Sequence, residues 1–381
     1  MIKKAAVIIA VFIFITALGA AKAFADVPSS AAETVIGEDR LKEADAALKN
    51  AAGENEITEG ITFSGLIKAA AAGDMDFSPQ AIWDIITKLF FAEIRSCTGM
   101  LAPLFTAAIL GAILKNISSS FNSKAVAELS FYVCYMVTVF VIVDMFAVAG
   151  RLVTDTLTSL GDTAAAVMPV FYTLMAVSGQ YTGAYVMGPF AASAAVFMAG
   201  FSKVILVPLL SLAVTLEIVN NLTERPTLGK MSALIKKGTG WVLKIISGGF
   251  MSLLSLQKIS TAASDRLAGR AAKAAIGAVP VVGDVMSGAV ETAAAMTGAI
   301  KSSVAVAAVI FIAAVCALPL IKVFVIMMIF KITAAATEPV GEKRFIKCLS
   351  AVGDYTGLLL GTLFASMAMF MFAVIILTAL A

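Results

Sequence analysis

Long apolar runs separated by short polar stretches are the main pattern along this 381-residue chain. A helix that crosses a lipid bilayer needs about 20 mainly apolar residues, and most of the runs approach that length. The pattern therefore predicts an all-α, polytopic integral membrane protein with roughly seven to eight transmembrane helices. The clearest apolar runs are 97–114, 129–150, 188–219, 241–256, 304–330 and 355–381.

The number of crossings between residues 163 and 256 stays open at the level of sequence. The run 163–178 is short and contains a proline, and an uncharged break follows it. The run 188–219 is longer than one span requires, and it contains Lys203 and two prolines. It fits either one tilted helix or two helices that turn at residues 201–203.

The first 25 residues have the three parts of a secretory signal peptide. Lys3 and Lys4 supply the positive start, an apolar core follows, and Ala23-Phe24-Ala25 provides a small-residue cleavage motif. We expect cleavage between Ala25 and Asp26, and an uncleaved anchor helix is the alternative. In either case the chain from Asp26 onward starts outside the cytoplasm.

Residues 26–95 form an acidic segment, with thirteen Asp and Glu against six Lys and Arg. We expect it to be extracytoplasmic, because Lys and Arg concentrate on the cytoplasmic side of membrane proteins. Within it, Ser78-Pro79 has the residue types that open helices, and apolar residues recur at helical spacing up to Phe90. We interpret 79–95 as an amphipathic lead-in helix that rests on the outer leaflet or docks on a partner.

Residues 96–381 form the predicted multi-span helical membrane domain, and its basic residues indicate the orientation. Lys and Arg are enriched in cytoplasmic loops, and basic clusters lie at 115–124, 225–244 and 331–347. An outside start places 115–124 inside and 151–162 outside, so the return of the second cluster to the cytoplasm requires an odd number of crossings between residues 163 and 220. The same counting places 257–301 outside the cytoplasm.

Composition argues against several classes of function. Apolar residues make up 60% of the chain and charged residues only 14%, far from the balance of a soluble domain. The chain has no histidine, and its four cysteines lack the paired spacing of zinc or redox sites. It also lacks a glycine-rich phosphate loop and basic clusters interleaved with aromatic residues. We therefore expect no enzyme activity, no metal or other cofactor and no nucleic-acid partner.

Charged residues inside the apolar runs are the main candidates for function, because an intramembrane charge is costly and usually faces a bundle interior or water. Asp144, Lys203 and Lys322 lie inside predicted spans, and the functional interpretation is a polar path through the bundle. The structural alternatives are equally concrete. Lys203 and Lys322 would extend toward the interface, Glu217 would mark a helix end, and Asp144 would lie near the outer interface.

A second candidate is the stretch Gly277–Ile300, which consists mainly of small residues but contains two carboxylates. Asp284 and Glu291 are seven residues apart, so a helix places them on one face with Gly288 between them. Small residues at four-residue spacing let membrane helices approach closely. We interpret Asp284, Gly288 and Glu291 as helix-packing or conduit-lining positions. At about 10 Å apart, the two carboxylates are poorly placed for shared catalysis.

Two stretches of the chain form a recognisable pattern: FSGLIKAAAAGDMDFSPQAIWDII in the acidic segment and SLQKISTAASDRLAGRAAKAAIGAVPVVGDVMSGAVETAAA at Ser255–Ala295. With the overall pattern over essentially the whole chain, they resemble the stage III sporulation protein AE family of endospore-forming bacteria. The resemblance implies a structural subunit of a channel or secretion-like complex in the mother-cell membrane around the forespore, needed for late forespore development. It carries no catalytic residue onto this sequence.

The resemblance also implies partners. These would be other proteins of the same sporulation operon, among them a cytoplasmic ATPase and ring-forming proteins of the intermembrane space, together with a partner in the forespore membrane. Membrane lipid would surround the subunit, and self-association is left open. Two other functions also stay open: a stand-alone secondary transporter that uses Asp144, Lys203 and Lys322, and a scaffold that only assembles its partners.

Overall fold

In the computed structural model of this chain, every described regular element is helical. The described residues are 39, 41–42, 44–46, 49, 62–72, 87–88, 90–96, 99, 102–106, 109–110, 113, 124–177, 188–222, 228–250, 252, 283–339 and 342–378. The all-α prediction is therefore confirmed for this part of the chain. The predicted signal peptide and its cleavage site, Ala25 and Asp26, lie outside it.

We number the continuous helices α1 to α7 in chain order. They are α1 (Phe63–Ala72), α2 (Lys124–Val177), α3 (Gly188–Phe201), α4 (Val207–Leu222), α5 (229–250), α6 (Gly283–Thr337) and α7 (Lys343–Thr378). A π-helical turn, Ser202–Leu206, joins α3 directly to α4. Shorter helical pieces occur between residues 87 and 113, including 90–96 and 102–106.

Four helical stretches of the described residues are long and apolar enough to cross a membrane. They are Tyr135–Tyr172 in α2, Ser193–Leu222 across α3 and α4, Ser303–Thr337 in α6 and Lys343–Val374 in α7. These four stretches support the prediction of a polytopic membrane protein. The total of seven to eight crossings stays a prediction.

α6 and α7 form an antiparallel hairpin at the centre of the bundle. They are joined by residues 338–342 and pack along each other. In their most apolar windows 61% and 56% of the residues are buried, against 39% for α2 and 39% for the α3–α4 helix. The hairpin is therefore the interior of the bundle, and α2, α4 and α1 pack around it.

α2 is a single helix of 54 residues, whereas the apolar pattern predicts a span that ends near Arg151 and a separate run from residue 163. The helix continues because its inward face stays apolar beyond the arginine, with Val153, Leu157 and Leu160 all buried. Arg151 itself lies on the exposed side, where a charge does not interrupt the packing.

The stretch from Gly188 to Leu222 is also one continuous helix, so the structure selects the first of the two sequence alternatives. The π-helical turn Ser202–Leu206 ends two residues before Pro208. Proline lacks an amide hydrogen, and in a regular α-helix its ring clashes with the carbonyl group four residues earlier. In the wider π turn the Val207 amide donates to the Ser202 carbonyl oxygen. This local widening lets the helix pass the proline without ending.

Part of the acidic segment docks on the bundle through α1, which packs against α6 and buries Ile67. The start of α1 is capped by two side chains. Thr62 Oγ1 accepts a hydrogen bond from the Gly65 amide at 3.1 Å, and Asp45 Oδ1 accepts one from the Ser64 amide at 3.0 Å. These bonds satisfy amides that have no partner inside the helix.

Candidate functional site

Asp354 in α7 holds two lysine side chains from neighbouring helices. Its Oδ2 atom lies 2.5 Å from Lys236 Nζ of α5, and its Oδ1 atom lies 2.6 Å from Lys331 Nζ of α6. Lys331 also donates to the main-chain oxygen of Ser350 at 2.8 Å. All three charged side chains are about one-third exposed, so water screens the pairs and each contributes modestly to stability. The contact still holds α5 and α6 at one position along α7.

A second polar contact joins α4 to α5. The Glu217 residue, 6% exposed, accepts hydrogen bonds from Ser232 Oγ at 2.5 Å and from Asn221 Nδ2 at 3.0 Å. Asn220 Oδ1 accepts a bond from the Leu228 amide at 2.9 Å, directly before α5 begins. Burial of a carboxylate is costly unless hydrogen bonds compensate it. Glu217 therefore links α4 to α5, and it does more than mark a helix end.

Two tyrosines extend these contacts to α2 and α7. Tyr135 of α2 donates to the main-chain oxygen of Ile218 in α4 at 2.8 Å, and Tyr355 of α7 donates to that of Ser232 in α5 at 3.0 Å. Hydrogen bonds of this kind between helices are common in membrane bundles. Five helices (α2, α4, α5, α6 and α7) thus meet in what we call the five-helix network. Its members are Tyr135, Glu217, Asn220, Asn221, Ser232, Lys236, Lys331, Asp354 and Tyr355.

The geometry of the five-helix network suits the positioning of helices. Asp354 and Glu217 each accept a hydrogen bond from another helix, at 2.5 to 2.6 Å. Within the part of the chain that the structure describes, no group of three or more Cys, Asp and Glu side chains is arranged to hold a metal ion. What the network does chemically is hold helix ends in register.

Lys322 lies near the middle of the α6 span and faces an acid from the N-terminal part of the chain. Its Nζ atom is 4.0 Å from Glu93 Oε2, and the Glu93 side chain is only 7% exposed. The rings of Phe90 and Phe324 also meet here, with centroids 6.1 Å apart. The lead-in residues 90–96 therefore contact the α6 span, and Lys322 has a charged partner in the same chain.

Asp144 and Lys203 both lie on the outward side of the bundle. Asp144 is exposed on α2, along with three further charged residues of the same helix. Lys203 is exposed in the π-helical turn, and its Nζ atom donates to Thr158 Oγ1 of α2 at 2.8 Å. The described contacts thus place Lys203 beside α2 and Lys322 beside Glu93, and they do not gather the three predicted charges into one midplane site.

Asp284, Gly288 and Glu291 all fall within α6, because this helix begins at Gly283 and runs into the apolar span without a break. The sequence pattern predicts that this stretch is a separate element between two crossings. In the structure it is instead the first part of α6. All three residues precede the apolar run 304–330. The surroundings of their side chains lie outside what the structure describes, and their packing or conduit-lining role stays a prediction.

Sequence reasoning does not find most of the five-helix network. In the sequence, Lys236 and Lys331 serve only as signals of membrane orientation. Nothing in the charge pattern identifies Asp354 as the partner of both. One signal is available, however: Asp354 is the single acid between residues 343 and 381, and it directly precedes the apolar run 355–381. The cost of an acid beside such a run predicts a cation nearby, but it does not say which one.

The family model described as Stage III sporulation protein AE matches residues 61–381, a range that contains α1 to α7 and the whole five-helix network. The chain is 26% identical over 285 residues to Stage III sporulation protein AE of Bacillus subtilis (strain 168), which covers 74% of this chain and 70% of that protein. No solved structure matches. The chain therefore belongs to the stage III sporulation protein AE family.

Proposed function

We propose that this protein is a membrane-embedded structural subunit of a sporulation-specific channel or secretion-like complex that connects mother cell and forespore. The family match over residues 61–381 carries the proposal, because it implies a role in sporulation. Four helices that can cross a membrane support a place in the bilayer. Late forespore development would depend on the complex.

The contacts within the bundle support a structural role. The five-helix network and the Glu93–Lys322 pair use their charged groups to join helices of the same chain. The family description names a sporulation protein and no reaction. Because these polar groups position helices, they support a structural role for the subunit within a larger complex.

A subunit of this kind needs partners for energy and for the second membrane. We propose that a cytoplasmic ATPase of the same operon supplies the energy, because this chain has no nucleotide-binding loop of its own. Ring-forming proteins of the intermembrane space and a forespore membrane protein would complete the path. The proposed location is the mother-cell membrane around the forespore, with the N-terminal segment on its outer side.

Gene deletion tests the proposed function. Loss of the gene should arrest development after engulfment and lower late forespore gene expression, and an intact copy at another locus should restore both. A fluorescent fusion should mark the membrane around the forespore. A normal spore yield from the deletion strain would contradict the proposal.

A stand-alone secondary transporter is the second candidate, and the exposed Asp144 within the α2 span favours it. It predicts solute uptake by the purified protein in liposomes, lost in the Asp144→Asn variant. The contacts give it less support, because Lys203 bonds to Thr158 while Lys322 faces Glu93. A solute site formed by Asp144, Lys203 and Lys322 would require these three side chains to lie close together.

A further inference from the structure

The outward face of α2 changes its character along the helix. From Leu129 to Val143 it exposes large apolar side chains, among them Phe140 at 77% exposure. From Asp144 to Ala165 the exposed residues are all polar or small: Asp144, Ala147, Arg151, Asp155, Thr158, Asp162 and Ala165. The inward face is mainly apolar over both parts, with Ile142 and Leu157 buried beside a few buried threonines. The change therefore reflects what lies outside α2.

Four charged residues form a narrow stripe on this face. Asp144, Arg151, Asp155 and Asp162 follow one another at intervals of seven, four and seven residues, which keeps them on one side of an α-helix. At a rise of 1.5 Å per residue the stripe is about 27 Å long. Three aspartates and Arg151 contribute −2, and Lys203, which donates to Thr158 within the stripe, brings the net charge of this surface to −1.

A hydrogen bond shows which part of the neighbouring helix lies at the depth of the stripe. Lys203 Nζ meets Thr158 Oγ1, one turn from both Asp155 and Asp162, at 2.8 Å. Beside Lys203, the π turn exposes Val204 at 70% and Ile205 at 46%. Large apolar side chains this exposed are typical of a membrane-facing surface. At one depth, therefore, the molecule exposes large apolar side chains beside Lys203 and charged side chains on α2.

Lipid cannot cover the charged stripe, because its ions would lose their hydration without gaining partners. In the described part of the chain none of the four charged residues has an ion pair. A second copy packed dry against the stripe would place a net charge of −1 against the same charge, with three carboxylates on each side, which is unfavourable. Water between the copies removes this conflict.

We propose that the stripe of α2 lines an aqueous passage in the membrane, which several copies of this chain enclose and which favours cations. Cyclic symmetry is the common way to close such an assembly, and it would turn each aspartate into a ring of carboxylates. Rings of acidic side chains favour cations in channels. The inference rests on the channel function proposed above.

Cysteine accessibility tests the passage in the full chain, in native membranes that contain the whole complex. Ala147→Cys and Ala165→Cys place a thiol on the stripe, and Val137→Cys and Val204→Cys are matched controls on the exposed apolar surfaces. The four native cysteines are replaced by alanine. A membrane-impermeant cationic thiosulfonate should modify the stripe thiols and leave the controls unmodified. It should react about ten-fold faster than an anionic reagent of similar size.

Charge variants make the selectivity test specific. In the Ala147→Cys background, Asp155→Asn with Asp162→Asn should remove most of the preference for the cationic reagent, whereas Arg151→Gln should increase it. A short bifunctional maleimide should join Ala147→Cys thiols from two copies into a dimer band. Equal labelling of stripe and control thiols, or no preference between reagents, would overturn the passage. Absence of the dimer band would overturn its closure by copies of this chain.

The two proposals fail separately. If deletion of the gene blocks sporulation but the stripe thiols stay unlabelled, the passage along α2 is wrong and the channel-complex role stands. If the deletion strain sporulates normally, the proposed function is wrong whatever the labelling shows. Each variant is compared at equal membrane abundance, measured by immunoblot, and the two stripe positions serve as replicates if one of them fails to accumulate.

Discussion

Single charged residues in this bundle fall into two groups according to their partners. Asp354, Glu217 and Glu93 are partly or fully buried, and each faces a polar or charged group on another helix. Asp144 and Asp155 instead point outward and have no ion pair among the described residues. The first group positions helices, and the second is available to whatever surrounds the bundle.

Asp354→Asn should weaken the five-helix network, because two lysines lose the carboxylate that holds them. Their partial exposure limits the loss to about 1–2 kcal/mol of the free energy of unfolding. We expect a lower midpoint temperature for thermal unfolding of the purified protein in detergent. The matched control is Asp155→Asn, which changes an exposed acid and should leave the midpoint unchanged. Equal midpoints for the two variants would contradict a stabilising role for Asp354.

Whole helices in this protein extend beyond the boundaries that local signals predict. Charges and prolines are the usual signs of a helix end, yet α2 continues past Arg151 and Pro169, and the α3–α4 helix continues past Pro208. In each case an apolar inward face persists through the interruption, with Leu157 or Leu210 buried. Packing against the central hairpin therefore outweighs the local preference for a break.

The close approach of α6 and α7 leads to a prediction about two glycines of α7. A methyl group at Gly353 would lie 3.1–3.2 Å from three carbons of the Lys331 side chain, whereas at Gly361 it would meet a Leu243 methyl at 3.8 Å. Alanine favours a helix over glycine by about 1 kcal/mol. Gly361→Ala should therefore raise the midpoint of thermal unfolding. Gly353→Ala should lower it, since displacement of Lys331 also disturbs its contact with Asp354.

The order of the two midpoints decides whether this packing is correct. Both variants make the same substitution in the same helix, so intrinsic helix propensity cancels in the comparison. A Gly353→Ala midpoint equal to or above that of Gly361→Ala would show that the Lys331 side chain moves aside without cost. In that case the lysine would not be tightly held at the α6–α7 contact.

At the scale of the whole molecule, α1, α2 and α4 pack against the central α6–α7 hairpin, and α1 comes from the acidic N-terminal segment. α1 packs on α6, and residues 90–96 meet the α6 span at Lys322. Two described parts of the N-terminal segment, α1 and residues 90–96, thus contact α6 of the same chain.

Ile67→Asp should release α1 from α6, because it buries a carboxylate at an apolar contact without a partner. We expect faster trypsin cleavage at Lys68, in the middle of α1, while the spans stay intact on a gel. The control is Ile67→Val, which costs about 1 kcal/mol and should leave Lys68 protected. Cleavage of the unaltered protein at the same rate as Ile67→Asp would contradict the docking of α1.

The sequence by itself determined the class of protein. Membrane embedding and helical structure follow from the lengths of the apolar runs, which are properties of local stretches and need no knowledge of their neighbours. The resemblance in Ser255–Ala295 and in the acidic segment named the family, and the match over 61–381 confirms it. The charges inside the runs were also identifiable, since Asp144, Lys203 and Lys322 stand out among apolar neighbours.

Only the tertiary structure decided which charges are paired and which face outward. Helical periodicity places Asp144, Arg151, Asp155 and Asp162 on one side of α2, but it does not say whether that side is inside or outside. The partners of Lys331 and Lys322 lie 23 residues away and in the N-terminal segment, respectively. A pattern along the chain cannot choose among such partners. Contacts between helices depend on which helices become neighbours and on how their faces pack, and neither is a property of one local stretch.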